Sequence, residues 1–151
     1  MSSYSKLKKI IKKVSVRNEI SNIIQYLKDP IICEVGVQDG NHFNNLLVSN
    51  VKKAYAIDSW SNAGKISEND SNLTQKELDD QHKGVCDRFG FDSRVHIIRK
   101  FSKDAAFDFQ NETLDFIYID ADHTYDSVKE DLECWYPKLK KGGVLSGHDY
   151  I

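Results

Sequence analysis

The apolar run Leu114-Asp-Phe-Ile-Tyr-Ile119 ends abruptly on Asp120-Ala-Asp-His123. A short, nearly continuous apolar run bounded by polar residues is the pattern of a strand covered on both faces. In an open α/β sheet, ligands bind in the crevice beyond the carboxyl ends of the strands. The run therefore sets Asp120, Asp122 and His123 at the edge of a cleft, where they have acid, base or metal-ligand capability.

The rest of the chain repeats the theme. Ile31 to Val35 is an apolar run broken only by Glu34, Lys53-Ala-Tyr-Ala-Ile-Asp58 reads as a second strand ending on an acid, and Arg94-Val-His-Ile-Ile98 as a third. The run at Leu114 to Ile119 makes the fourth, and Val144 to Ser146, after Gly142-Gly143, the fifth. Between them the periodicity predicts helices over residues 41–48, 74–89 and 124–136, the last with Tyr125, Val128, Leu132 and Trp135 inward and closed by Pro137. Alternating strands and helices argue a mainly parallel sheet with right-handed crossovers. About thirty-five residues separate the second and third strands, more than a crossover needs. Their first, polar part, around Ser61 to Asn72, reads as a flap.

Length and composition narrow the field. A chain of 151 residues suits one domain with a real core. A net charge of -2, with both signs interspersed, leaves no broad electrostatic footprint for nucleic acid, so a small molecule is the expected partner. Cys33, Cys86 and Cys134 are odd in number, widely spaced and without a C-x-x-C, which suggests reduced residues and a cytoplasmic location. No apolar run approaches the length of a membrane span. Residues 1–29 read as an amphipathic helical segment whose basic members include Lys6, Lys8, Lys9, Lys12, Lys13 and Arg17, a solvated lysine face rather than a membrane anchor. Residues 30–151 form the globular unit.

The turn Glu34-Val-Gly-Val-Gln-Asp-Gly40 follows a strand and opens a helix, so its backbone amides can receive a polar ligand. It lacks the G-x-G-x-x-G spacing that brings a pyrophosphate close to the backbone. A ligand with an amino-acid tail and one nucleoside suits the looser turn: Glu34 has the charge for an ammonium, and Asp58, eighteen residues beyond Gly40, is placed for two ribose hydroxyls. Strand-end carboxylates can also cap helices, and Asp122 reads as the N-cap of the helix beginning near Thr124. His42, His82 and His96 lack acidic company and are assigned no chemistry.

Taken together, Glu34-x-Gly36-x-x-x-Gly40, Asp58, Ile119-Asp120-Ala-Asp-His123 and Gly142-Gly-Val-Leu-Ser-Gly-His-Asp149 resemble the class I S-adenosylmethionine-dependent methyltransferases, and most closely the branch of glycan and macrolide-sugar O-methyltransferases and cephalosporin-hydroxylase-like proteins. The resemblance implies a Rossmann-like doubly wound sheet of strand order 3-2-1-4-5 and makes residues 30–151 a methyltransferase domain. It implies that Glu34, Gly36 and Gly40 line the methionine half of S-adenosylmethionine, that Asp58 holds the ribose, and that Ser59, Trp60, Ser102 and Asp120 join the cofactor contacts, Ser102 near the adenine and Trp60 covering the ring. It further implies a catalytic pair, Asp120 and His123, with His123 as base. A divalent metal such as magnesium or manganese would sit at Asp120, His148 and Asp149. The acceptor would be a sugar or other small hydroxyl compound.

Two departures stand out. Gln38 occupies the place of the usual middle glycine, and His148 stands where an acid is common. The family's sheet also continues into an antiparallel hairpin, which this sequence does not show before Ile151. The expectation is an exposed edge at the fifth strand and a homodimer through it. Two other readings stay open: a degenerate, non-catalytic binding module of the same fold, and a metal-dependent hydrolase built on the Asp and His residues.

Overall fold

The computed structural model describes residues 19–63 and 73–148. Its sheet has five strands, β1 (Ile31–Val35), β2 (Lys53–Asp58), β3 (Val95–Arg99), β4 (Leu114–Ile119) and β5 (Leu139–Gly147), in the order β3-β2-β1-β4-β5. All four pairings are parallel. The chain thus winds outward from β1 to β3, returns to β4 beside β1, and leaves a switch point at the β1 and β4 tips, as expected of a doubly wound fold.

The helices are α1 (Ile20–Ile24), α2 (Asn41–Leu46), α3 (Gln75–Phe89), α4 (Ser102–Ala106) and α5 (Tyr125–Trp135), followed by a 3-10 turn at Tyr136–Lys138. They cover the sheet on both sides. Ile32, Ala54, Ala56, Phe116 and Tyr118 meet Ile23, Ile24, Phe43, Leu46, Val85 and Phe89 on one face. Cys33, Val35, Ile57, Ile117 and Ile119 meet Ala105, Ala106 and Trp135 on the other. Alternate residues of β1 serve opposite cores, which is why its sequence is apolar nearly throughout.

Local signals explain the boundaries. Thr74 and Glu77 form a capping box, with the Thr74 amide donating to Glu77 Oε2 at 2.7 Å and the Glu77 amide donating to Thr74 Oγ1 at 3.3 Å, so α3 starts one residue after its expected edge. β3 is shifted by one residue from its expected span. β5 starts earlier than expected, at Leu139, because the register against β4 slips between Leu114 and Phe116 and the extra residues around Gly142 are accommodated at φ +84°.

Two expectations are corrected. The short helix α4 has no counterpart in the sequence reading; it is held by burial of Ala105 and Ala106, not by any long periodicity. The inward face of α5 is also different. Trp135 is fully buried, but Tyr125 is 81% and Leu132 40% exposed, and the buried stripe runs through Asp131. An acid held by hydrogen bonds on the inward side has rotated the face that hydrophobicity alone predicts.

Cys33 is buried packing as expected, and burial pushes its thiol pKa well up. All three cysteines are free. No helix of the described residues is long and apolar enough to cross a membrane. The basic cluster from Lys6 to Arg17, the flap beyond Ala63 and Asp149 lie outside the described residues.

Candidate active site

The turn leaving β1 is fixed by backbone hydrogen bonds to both neighbouring strands. The Gly36 amide donates to Ile57 O at 2.8 Å, and the Asp120 amide donates to Val35 O at 2.8 Å. Gly36 has φ +91°, and a Cβ there would lie 2.1 Å from the carbonyl oxygen of Asp120. The β1 and β4 tips can meet this closely only through glycine. Gly40, at φ +78°, opens α2, and a Cβ on it would come within 2.7 Å of the Phe89 ring. Gln38 stands between them at φ +50°, a left-handed conformation that a side chain rarely takes.

Asp58 at the β2 tip fixes that unusual turn. Its Oδ2 accepts from the Gln38 amide at 2.9 Å and its Oδ1 from the Trp60 amide at 2.8 Å. A carboxylate has about four acceptor positions, so each oxygen keeps a second one after these bonds. Trp60 reinforces the same junction from inside. Its indole donates to Gln38 O at 2.8 Å and lies against the His82 ring, at φ +41° and with no solvent exposure. The expected ring cover is instead a buried strap between the loops after β1 and β2.

Glu34 is placed behind the cavity wall, not on it. Side-chain alternation turns it toward α2, where Oε1 meets His42 Nδ1 at 2.6 Å in a fully buried setting. His42, assigned no role from sequence, braces the first turn of α2 against β1 and packs on Tyr118 at 4.3 Å.

Asp120 and His123 follow β4. Asp120 is nearly buried, and the His148 ring lies 3.7 Å from its carboxylate. The cap of α5 is Thr124, whose hydroxyl accepts from the Ser127 amide, so Asp122 is not the N-cap expected. Asp122 instead buttresses the cap, accepting from the Thr124 amide at 2.9 Å and the Ser127 hydroxyl at 2.7 Å.

A metal at Asp120, His148 and Asp149 is tested by the donors described. Asp120 and His148 form a pair, Asp149 is outside the described residues, and no group of three His, Cys, Asp or Glu side chains among the described residues is arranged to hold an ion. Of the three expected donors, the described residues bring together Asp120 and His148.

Ser102, the first residue of α4, supplies a contact that sequence reasoning missed. Its hydroxyl donates to Asp131 Oδ1 and accepts from the Trp135 indole, the latter at 2.8 Å. Asp131 is 5% exposed, and burial lifts its carboxyl pKa from the usual 3.8 to about 6, against the lowering effect of the Ser102 hydrogen bond. The available signal was an acid midway between Ser127 and Trp135, four residues from each on what becomes the inward stripe.

These elements enclose a cavity of about 350 Å³ over the strand tips. Gly36, Asp58, Ser59, Ser102, Asp120 and His123 line it together with Gln38, Asp122, Gln81, Lys103 and Asp131. Glu34, Gly40, Trp60 and His148 are not among the lining residues. Gln81 Oε1 is buried with no hydrogen-bond partner among the described residues. A cavity of this size, with a carboxylate acceptor at the β2 tip, the β1 turn and an unsatisfied polar atom, fits a small ligand carrying a nucleoside.

Comparison with known proteins bears on the fold and the family. Over 53 residues the chain is 36% identical to an uncharacterized protein of Sinorhizobium fredii, a match covering 35% of this chain and only 6% of the relative. A structure described as an S-adenosyl-L-methionine-dependent methyltransferase from Methanococcus maripaludis superposes with TM-score 0.58 at 15% identity, covering 97% of this chain and 57% of that one. One described as a caffeoyl-CoA O-methyltransferase from Staphylococcus aureus gives 0.57 at 17% identity, covering 97% and 66%. At these identities the superpositions establish the fold, and the chain spans between about half and two-thirds of the length of these structures. Residues 33–150, from the middle of β1 to beyond the end of β5, match the family described as a methyltransferase domain, and the chain belongs to that family.

Proposed function

We propose that this chain binds S-adenosylmethionine and methylates a hydroxyl of a small acceptor, a sugar in the first instance. The carrying observation is Asp58. A carboxylate at the β2 tip, pinned through both oxygens by backbone amides and facing the cavity, is a pre-positioned acceptor for paired ribose hydroxyls. The methionine half would follow the Gly36 turn toward the β1 and β4 tips.

S-adenosylmethionine, when bound, supplies a methyl group activated on a sulfonium for in-line displacement. The side chains have two tasks. The walls from Gly36 to Asp120 align the acceptor oxygen behind that methyl, and a base removes the hydroxyl proton. His123 takes the base role, because it stands on the cavity wall at the end of β4 beside Asp120 and Asp122. The proton leaves the acceptor oxygen for the imidazole as the carbon–oxygen bond forms.

The finer parts of the proposal are the sugar acceptor, a cytoplasmic setting suited to three free cysteines, and a homodimer through β5, which among the described residues pairs only with β4. The test is methyl transfer to a panel of saccharide and other hydroxyl acceptors, with His123→Asn alongside. Turnover that drops about 100-fold in the variant, with cofactor affinity retained, is the expected result. Undiminished turnover in the variant removes His123 as base, and transfer to none of the acceptors favours a binding module.

A further inference from the structure

One wall of the cavity carries polar groups that the proposed reaction leaves unused. The inward stripe of α3 runs through Leu78, Val85 and Phe89, all buried, and Gln81 falls between the first two at helical spacing, where the pattern calls for an apolar side chain. Gln81 lines the cavity, and its Oε1 is buried with no hydrogen-bond partner among the described residues. An amide oxygen stripped of water in this way lowers stability unless a ligand supplies a donor.

The surroundings of Gln81 are held in place. Gln75 Nε2 donates to Trp60 O at 2.9 Å, and Arg99 Nη2 donates to the same oxygen at 2.8 Å. The Asn62 amide donates to Gln75 Oε1 at 3.2 Å, and the Trp60 ring lies 4.6 Å from the ring of His82, the residue after Gln81. These contacts tie the loop after β2 to α3. On that loop Ser61 Oγ accepts from the Ala63 amide at 3.1 Å, which leaves its hydroxyl hydrogen available to a ligand. Ser61, Ala63 and Leu78 line the cavity with Gln81, so this wall offers one acceptor and one donor beside two apolar side chains.

The fold says which ligand meets it. The cofactor reading uses the Gly36 turn, Asp58 and the far end at Ser102, and assigns nothing to α3. α3 packs on the face of the sheet opposite α5, so Gln81 looks across the cavity toward the wall of His123, where the reacting hydroxyl gives up its proton. A molecule that spans the two walls needs a polar group at each end. Resting on the methyltransferase reading above, we infer that Gln81 accepts a hydrogen bond from an acceptor hydroxyl remote from the one that is methylated, with Ser61 donating beside it and Leu78 and Ala63 meeting an apolar ring face. Gln81 thereby determines acceptor specificity. It selects a ring with hydroxyls on opposite sides, because a ring with one hydroxyl, or with two on adjacent atoms, leaves Oε1 unpaired.

The experiment measures methyl transfer to methyl hexopyranosides and their monodeoxy counterparts, with cyclohexanol and catechol alongside. It is run on the wild-type chain, Gln81→Leu and Gln81→Glu, each also titrated calorimetrically with S-adenosylhomocysteine. In the wild-type chain, removing one remote hydroxyl from a hexopyranoside that is turned over should raise KM by about 10–100-fold, the effect of a buried acceptor left unpaired, with kcat little changed. Gln81→Leu should raise KM for the parent sugar by the same factor and no longer distinguish it from that deoxy compound. Gln81→Glu still accepts from a hydroxyl and should keep the distinction. Affinity for S-adenosylhomocysteine should stay at the wild-type value in both variants. Equal wild-type KM for the parent and every monodeoxy compound overturns the inference without any variant, as does a KM for cyclohexanol or catechol matching that of the sugars. A loss of S-adenosylhomocysteine affinity in Gln81→Leu as large as its rise in KM gives Gln81 to the cofactor and overturns it too. All three outcomes leave methyl transfer standing, whereas transfer to none of these compounds removes the reading on which the inference rests, and the inference with it.

Discussion

Replacing Asp131 with Asn should stabilise the chain at neutral pH and do little in acid. Burial is the main reason its carboxyl titrates near 6 and not at 3.8, with Glu130 and Asp122 contributing and the Ser102 hydrogen bond opposing. The sign follows from proton counting. Between those two values the folded chain keeps a proton that the unfolded chain has released, so stability falls as pH rises through that window, and the full penalty is present above about pH 6. Each tenfold change in proton affinity is worth about 1.4 kcal/mol, which bounds the penalty at about 3 kcal/mol; hydration through the cavity brings the expectation to about 1–3 kcal/mol. Asparagine is close in shape, cannot ionise, and its amide oxygen still accepts from Ser102. For a domain of this size the gain corresponds to roughly 3–10 °C in Tm at about pH 7.5. Thermal unfolding of both proteins from about pH 4 to pH 8 checks it. A variant less stable than wild type at neutral pH, or a difference that does not change with pH, refutes the reasoning.

Two further outcomes follow from the turn and the strand tips. Asp58→Ala should weaken binding of S-adenosylhomocysteine by about 10–100-fold, the worth of a charge-assisted hydrogen-bond pair; it should also lower stability by about 1–2 kcal/mol, because the Gln38 and Trp60 amides lose their shared acceptor. Unchanged affinity by calorimetry removes Asp58 from the site. Gly36→Ala should cost about 4 kcal/mol or more, since its Cβ would lie 2.1 Å from the Asp120 carbonyl oxygen and backbone stands on both sides of the clash; an unaltered urea midpoint contradicts that packing.

The strands were legible because parallel strands buried on both faces write themselves as apolar runs, and the acids at their ends, Asp58 and Asp120, mark where the runs stop. The cavity inherits those positions. What was not legible depends on contacts between distant segments. Trp60 looks like a ring cover on a strand tip, yet its indole reaches twenty-two residues back to Gln38 O and draws the ring into the core. Glu34 lies one residue before the end of β1, beside the Gly36 turn, but its parity along the strand turns it to α2 and His42. That pairing was available in principle from the strand alternation and the eight-residue spacing. Asp131 was hidden by a hydrophobic pattern that favoured Tyr125 and Leu132 on the inward face, and the partner that reverses the choice, Ser102, lies in a helix too short to show a period.

The central claim is that the cavity over the β1, β2 and β4 tips takes S-adenosylmethionine and not a dinucleotide. Thermal unfolding of the chain with S-adenosylhomocysteine, set against NAD at the same concentration, measures this directly. At about 100 times its dissociation constant, a ligand that binds only the folded state adds about 2.7 kcal/mol of stability. The account predicts a rise in Tm with S-adenosylhomocysteine and none with NAD; stabilisation by NAD, or by neither ligand, would contradict it.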